Sequence, residues 1–302
     1  MNKKIESFNF KIVLSINKTM KHLWVTIFLI SCSENDNSFS LETIVYDGTA
    51  REYILHIPEK YDNDIAIPLM LNFHGGGGTA SGHVYTSDMR SLADEENFIL
   101  VYPQGLYNVW NISLSSDNSS KNTTDDFGFI NAMINKIISE YSVDTTRIYA
   151  TGFSNGAGMA HVLACVMNDK IAAIVSMGGL LYKHTSENTI PSPKGIMTIH
   201  GTLDEDRPYE GIENYYLSVN EMHEFWININ KTNTTPLVSD FESNGQSVGY
   251  YSYNNGTNNT SIEHYKVYGA GHYWLEFIHN GVNTNQLIWN FVSKYDLNGL
   301  IN

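Results

Sequence analysis

The chain reads Tyr-Ala-Thr-Gly-Phe-Ser-Asn-Gly-Ala-Gly-Met at residues 149–159, and this stretch predicts how the rest is organised. Its centre, residues 152–156, fits the pattern G-x-S-x-G, in which a serine occupies a sharp turn between a strand and a helix. Residues 147–151 form a β-branched and aromatic run typical of a buried strand, and residues 155–168 are a proline-free stretch of helical length. The sequence therefore predicts that Ser154 lies on a strand-to-helix turn with its hydroxyl exposed.

Composition limits the class of protein. The chain has 302 residues, of which 42% are hydrophobic, and its formal net charge is −14. A chain of this size and apolar content can bury a large core and fits one α/β domain. The excess of acidic residues argues against nucleic acid as a partner, because phosphate binding needs a basic surface. With two cysteines in the whole chain, Cys32 and Cys165, we expect no disulfide framework.

The N-terminal residues predict export. Residues 20–32 read Met-Lys-His-Leu-Trp-Val-Thr-Ile-Phe-Leu-Ile-Ser-Cys, a basic start followed by an apolar run too short to span a bilayer and then a cysteine. We interpret residues 1–32 as an export signal whose end resembles the lipobox of bacterial lipoproteins, with Cys32 as the lipidated residue and residues 33–40 as a polar tether. This predicts lipid anchoring to the outer membrane or cell surface. The alternatives are a periplasmic or secreted product of an ordinary signal peptide and an uncleaved anchor.

Strand-like and helix-like segments alternate from residue 41 onward. Strands are predicted at residues 42–46, 51–57, 69–73, 98–102, 147–151, 171–177, 195–199 and 262–268. Helices are predicted at residues 155–168, 213–229 and 283–295, and a further helix opens at Asp125 and Asp126. A hairpin-like excursion is predicted at residues 237–256. Such alternation predicts an α/β fold with a mostly parallel central sheet and helices on both faces, and residues 41–302 are predicted to form one catalytic domain.

A run of glycines follows the predicted strand at residues 69–73. The sequence there is His-Gly-Gly-Gly-Gly at residues 74–78, and glycines leave backbone N–H groups unobstructed. Such groups can bind a developing negative charge on oxygen. A flexible loop or a phosphate cradle is the alternative, but a phosphate loop requires a Gly-Lys-Ser/Thr ending that is absent here. We therefore expect residues 74–78 to form an oxyanion-binding loop close to Ser154.

A nucleophilic serine needs a general base, and the base needs an orienting acid. When a G-x-S-x-G serine lies on a strand-to-helix turn of an α/β fold, the acid and then the histidine follow it in the chain, each on a loop after a strand. The strand at residues 195–199 is followed by three acids: Asp204, Glu205 and Asp206. Each of them is a candidate from the residues alone.

The candidate bases are the later histidines: His223, His264, His272 and His279. His272 lies in a glycine-bearing loop, residues 269–274, directly after the last predicted strand, and this position favours it. His279 is the reserve candidate. His74 and His200 each precede a glycine at a strand end, and we assign them packing or hydrogen-bonding roles.

Together these motifs resemble the polyhydroxybutyrate depolymerase-like and feruloyl esterase-like group of α/β-hydrolases. The resemblance runs over most of the chain after residue 41. It is carried by residues 74–78, Tyr-Pro-Gln-Gly at 102–105, Asp-Asp at 125–126 with Phe129 and Ile130, residues 152–156, His-Gly-Thr at 200–202 with Asp204, the segment around Trp226, and Gly-His-Tyr-Trp at 271–274.

The resemblance implies an exported serine hydrolase that cleaves carboxylic esters through an acyl-enzyme. Ser154 is then the nucleophile, and His272 acts first as base and then as acid. Asp204 orients the imidazole and is favoured over Asp206, because it stands where the motif H-G-T-x-D places the acid. The backbone N–H groups of Gly76 and Asn155 are expected to form the oxyanion hole, with residue 75 as an alternative to Gly76.

The expected substrate is a feruloyl or acetyl ester linked to polysaccharide. The alternative is a hydroxyalkanoate polyester, such as polyhydroxybutyrate, or its oligomers. A serine peptidase and a non-catalytic binding lipoprotein are less favoured. Trp110, Tyr209 and Trp274 are candidates for an aromatic substrate cleft. The sequence shows no metal-ligand cluster and no cofactor fingerprint, so we expect no metal and no cofactor, with water as the other reactant.

Overall fold

The computed structural model of the chain describes residues 39, 41–114 and 124–301. The predicted export signal, the lipidation site Cys32 and nearly all of the polar tether lie outside the described residues. Within the described part of the chain, no helix combines the length and the apolar character that crossing a membrane requires.

Among the described residues, ten strands form the central sheet. They are β1 (Leu41–Tyr46), β2 (Thr49–His56), β3 (Ile67–Phe73), β4 (Ile99–Pro103), β5 (Val143–Phe153), β6 (Ile171–Met177), β7 (Gly195–Gly201), β8 (Leu237–Ser243), β9 (Gln246–Tyr253) and β10 (Ile262–Val267). Their spatial order is β1-β2-β4-β3-β5-β6-β7-β10-β9-β8. The strands from β4 to β10 in this order pair in parallel. Antiparallel strands extend the sheet at both edges.

Helices cover both faces of the sheet. They are α1 (Ala80–Thr86), α2 (Arg90–Glu96), α3 (Asp126–Glu140), α4 (Asn155–Val166), α5 (Lys183–Asn188), α6 (Val219–Asn230) and α7 (Thr284–Val292). Apolar side chains of α3, α4 and α6 belong to one buried cluster, and those of α1, α2 and α7 belong to the other. The predicted mostly parallel sheet with helices on both faces is therefore confirmed.

One predicted helix boundary is shifted by local hydrogen bonding. The helix predicted at residues 213–229 begins at Val219, because Ser218 and Glu221 form a capping box in which each side chain bonds the other's backbone N–H. The predicted excursion at residues 237–256 is the antiparallel pair β8 and β9. The other predicted strands and helices agree with the observed elements to within a few residues at their ends.

The turn between β5 and α4 depends on a close backbone approach to the end of β3. A Cβ atom added at Gly156 would lie 2.3 Å from the carbonyl oxygen of Phe73 and 2.5 Å from that of His74. Both neighbours are backbone atoms, so neither can move without shifting the strand. At Gly158, two residues further along α4, the nearest atom would instead be the end of the Ile112 side chain. Glycine is therefore required at position 156 by contact with backbone.

We predict that Gly156→Ala destabilises the fold by about 3 kcal/mol, because the added methyl group forces β3 and α4 apart. Gly158→Ala is the matched control in the same helix. Its free energy of unfolding should stay within about 1 kcal/mol of wild type, since the helix propensity of alanine offsets movement of the Ile112 side chain. Urea unfolding of both variants measures the difference in free energy of unfolding. An equal loss of stability in the two variants would show that the contact between Gly156 and the Phe73 and His74 carbonyl groups is not tight.

Candidate active site

Three polar side chains meet at the carboxyl edge of the parallel strands. Ser154 follows β5, Asp204 follows β7 and His272 follows β10. Because these strands run parallel within one sheet, their ends lie at the same edge. Ser154 has φ 56° and ψ −115°, a conformation that serine rarely adopts. The turn predicted at residues 152–156 is therefore present, and it is strained at the serine itself.

The three side chains form one chain of hydrogen bonds. His272 Nε2 lies 2.7 Å from Ser154 Oγ, and His272 Nδ1 lies 2.7 Å from Asp204 Oδ2. A carboxylate only accepts, so Nδ1–H donates to Asp204 and Nε2 is left to accept the serine proton. The structure thus brings together the three residues that the sequence assigned as nucleophile, base and acid. Their catalytic roles remain a proposal.

Asp204 occupies a site suited to a permanent negative charge. Burial raises the pKa of this carboxyl group, but hydrogen bonds from His272 and from the backbone N–H of Arg207, together with the electrostatic effects of His272 and His200, lower it by more, so the pKa lies below its ordinary value. Oδ1 accepts the N–H groups of Asp206 and Arg207 at 3.0 and 2.7 Å. The side chains of Glu205 and Asp206 are exposed, and it is Asp204 that contacts His272. Asp204 therefore has the position that an orienting acid requires.

The glycine loop lies beside the serine. The N–H of Gly77 donates to the carbonyl of Asn108 at 2.7 Å, and the N–H of Gly78 donates to the carbonyl of Gly75 at 3.0 Å. The predicted donor Gly76 and its alternative Gly75 both line the cavity at the serine. The second predicted donor, the N–H of Asn155, belongs to the first turn of α4, where backbone N–H groups lack helical partners. This arrangement can hold an oxyanion.

His74 holds the glycine loop in place. Its Nε2 accepts the N–H of Gly105 at 2.9 Å, so Nδ1 carries the proton and donates to the carbonyl of Gly75 at 2.8 Å. Burial lowers the pKa of His74 to about 4, although the bond to Gly75 acts in the opposite direction. The imidazole is therefore neutral at pH 7. The structure agrees with the hydrogen-bonding role expected for this histidine.

Trp110 does not line a substrate cleft. Its side chain is 1% exposed, and its indole Nε1–H donates to the carbonyl of His74 at 2.9 Å. Its backbone N–H donates to Asn155 Oδ1 at 2.7 Å, and Asn155 Nδ2 donates back to the carbonyl of Trp110 at 3.1 Å. Trp110 thus ties the glycine loop to the serine turn. The sequence did not reveal the part played by the Asn155 side chain, because the motif gives a role only to its backbone.

The other two predicted cleft residues are also buried. The Tyr209 hydroxyl is hydrogen-bonded to His264 Nε2 at 2.8 Å, and Trp274 packs edge-on against His83. The two side chains expose 9% and 8% of their surface. The expected aromatic cleft is therefore not formed by Trp110, Tyr209 and Trp274, because their rings fill the protein interior.

The cavity at the serine has a volume of about 190 Å³. It is lined by Gly75, Gly76, Phe153, Ser154, Asp206, Arg207 and His272. From the sequence, Asp206 was weighed only as an alternative to Asp204 as the acid, and Arg207 was not predicted in the site; their place on the loop just beyond Glu205 was the available signal. The reserve base His279 bonds the hydroxyl of Tyr265 instead. In the described part of the chain, no group of three or more histidine, cysteine or carboxylate side chains is placed to hold a metal ion.

The chain is similar in sequence to known esterases. The chain is 25% identical over 259 residues to the bifunctional acetylxylan esterase/xylanase XynS20E of Neocallimastix patriciarum, a match that covers 83% of this chain and 34% of that protein. It is 30% identical over 167 residues to feruloyl esterase C of Emericella nidulans, covering 53% of this chain and 57% of the relative. In both cases the match spans less than two thirds of the relative's own length.

Solved structures confirm the fold. Acetyl xylan esterase from Aspergillus awamori matches with a TM-score of 0.60 and 17% identity, over 84% of this chain and 99% of that one. The similarity to feruloyl esterase-like α/β-hydrolases that the motifs indicated is thereby confirmed. Residues 67–237, more than half of the chain, match the family described as Phospholipase/Carboxylesterase. The chain therefore belongs to the phospholipase/carboxylesterase family of α/β-hydrolases.

Proposed function

We propose that the protein hydrolyses carboxylic esters through an acyl-enzyme on Ser154. The observation that carries this proposal is the pair of 2.7 Å hydrogen bonds that link Ser154 to His272 and His272 to Asp204. This geometry supplies a base within reach of the nucleophile and an acid that orients the base. The family match and the esterase relatives support the same reaction.

We assign each step of the reaction to a group of the site. Ser154 Oγ attacks the ester carbonyl while its proton passes to His272 Nε2, and Asp204 stabilises the imidazolium that forms. The N–H groups of Gly76 and Asn155 bind the oxyanion, each worth roughly 3 kcal/mol in the transition state. His272 then protonates the leaving alcohol. Water then attacks the acyl-enzyme in the same way and gives its proton to His272. The bond to Ser154 breaks, His272 returns the proton to Ser154 Oγ, and the carboxylic acid is released.

We propose acyl esters on polysaccharide as the substrate class. The acetylxylan and feruloyl esterases among the relatives support this choice. A cavity of about 190 Å³ is smaller than the roughly 300–1,000 Å³ of a site that encloses a drug-sized ligand. Such a cavity favours a small acyl group, so acetyl is preferred to feruloyl. Hydroxyalkanoate polyester remains the competing substrate.

We also propose that the protein is exported and lipid-anchored through Cys32. This proposal rests on the basic start, the apolar run and the terminal cysteine of residues 20–32. An anchored enzyme of this kind would meet polysaccharide outside the cell.

We predict that the purified protein hydrolyses acetylated xylan and p-nitrophenyl acetate with higher kcat/KM than methyl ferulate, because the cavity suits a short acyl chain. A panel that adds hydroxybutyrate oligomers and a peptide amide measures the preference. Ser154→Ala should lose every activity, since it removes the hydroxyl that forms the acyl-enzyme. A preference for the oligomers would favour hydroxyalkanoate polyester as the substrate. Activity retained by Ser154→Ala would contradict the proposed nucleophile.

Asp204→Asn should lower kcat by about 10⁴-fold, because an amide no longer holds His272 in the tautomer that accepts the serine proton. Glu205→Gln is the matched control. It makes the same change of charge one residue away, on an exposed side chain, and kcat for p-nitrophenyl acetate should stay close to wild type. Similar losses in the two variants would mean that Asp204 contributes only to the charge of the loop.

A further inference from the structure

Two charged side chains of opposite sign line the cavity next to the triad. Asp206 and Arg207 lie there with the glycine loop, Phe153 and the catalytic groups. The reaction derived above uses neither side chain. Their presence in a small cavity of an acidic protein therefore needs another explanation.

The loop that holds the triad acid also sets the position of both residues. The backbone N–H groups of Asp206 and Arg207 donate to Asp204 Oδ1. The carbonyl of Arg207 accepts a hydrogen bond of 2.7 Å from Nε2–H of the buried His200. These three hydrogen bonds fix the backbone from which the two side chains extend, relative to the triad.

The guanidinium group of Arg207 is oriented but not neutralised. Its Nη1–H donates to the carbonyl of Asp206 at 2.9 Å, and its Cζ lies 5.0 Å from the centre of the Tyr216 ring. A guanidinium has five N–H donors, so most remain available. Among the described residues, neither Asp206 nor Arg207 takes part in an ion pair within 4.0 Å.

A carboxylate beside a guanidinium matches one kind of alcohol well. Vicinal hydroxyls donate to a carboxylate and accept from a guanidinium at the same time. Hydrogen bonds to charged groups are stronger than those between neutral groups. A sugar with neighbouring hydroxyls can use both residues. The ester carbonyls of a polyester only accept, so they could use Arg207 alone.

We propose that Asp206 and Arg207 form a subsite for the hydroxyl groups of a neutral sugar, the alcohol half of the ester. This inference rests on the proposed function and specifies the alcohol that the enzyme recognises. The acyl group enters beside Ser154, and the sugar is held by the loop that carries the triad acid.

The test compares two acetates on the full-length protein: an acetylated methyl xyloside, whose alcohol carries hydroxyls, and ethyl acetate, whose alcohol carries none. The measured quantity is the ratio of their kcat/KM values, followed by titration of released acid. Asp206→Asn and Arg207→Gln should each lower this ratio by about 10-fold, mainly through KM, because each removes a charged hydrogen-bonding partner. Glu205→Gln, the same charge change on the same loop but outside the cavity, should leave the ratio at its wild-type value.

The outcomes separate the subsite from the function on which it rests. A ratio unchanged in both variants, with the wild type active on the xyloside, overturns the subsite and leaves the esterase function intact. Wild type that cleaves ethyl acetate but not the xyloside overturns both the polysaccharide function and the subsite. If hydroxybutyrate oligomers are cleaved and Arg207→Gln alone impairs their cleavage, the subsite serves ester carbonyls and the sugar assignment is wrong.

Discussion

The site depends on one backbone contact, the approach of Gly156 to the carbonyl groups of Phe73 and His74. A side chain at position 156 would overlap both carbonyl groups. Because the contact joins the start of α4 to the end of β3, it also sets the glycine loop beside the serine turn. Trp110 also links the glycine loop to the serine turn, because its indole N–H donates to the carbonyl of His74 while its backbone is hydrogen-bonded to the side chain of Asn155. Serine and oxyanion donors are therefore positioned by packing of the fold itself.

A second constraint acts on the acid loop. Burial alone would favour the neutral form of Asp204, and the surrounding hydrogen bonds reverse this preference. One of those bonds comes from the backbone N–H of Arg207, and the N–H of Asp206 donates to the same carboxylate oxygen. The side chains of both residues line the cavity. The loop thus orients His272 and, on our proposal, contacts the sugar. Recognition and acid positioning would then share the same few residues.

Most of the fold and the order of the site residues could be predicted from the sequence, because both rest on local patterns. Apolar runs and their spacing gave the strands and the longer helices, but not the short helices α1, α2 and α5. The requirement that the acid and histidine follow strands restricted the candidates to a few. The role of Trp110 could not be predicted in this way. An indole near the site fits either a cleft or the core, and the choice is made by neighbours distant in sequence, such as His74.

The role of Asp126 could likewise not be predicted from the sequence. An acidic residue at the start of a predicted helix is expected to interact with the helix dipole and to need no distant partner. In the structure it is buried, forms an ion pair of 2.6 Å with Arg51, and accepts the N–H of Asn111 at 2.7 Å. It therefore anchors the segment that carries Trp110. Partners 75 residues apart in the chain leave no periodic signal in the sequence.

The central claim is that Ser154 is a nucleophile activated by His272. A phosphonofluoridate, which transfers its phosphonyl group to such a serine and releases fluoride, tests this directly by intact-protein and peptide mass spectrometry. The account predicts one adduct per chain, located on Ser154, and at least about 10³-fold slower labelling in His272→Ala, since the serine then lacks its base. An adduct on another residue, or labelling of Ser154 at an unchanged rate in His272→Ala, would contradict it.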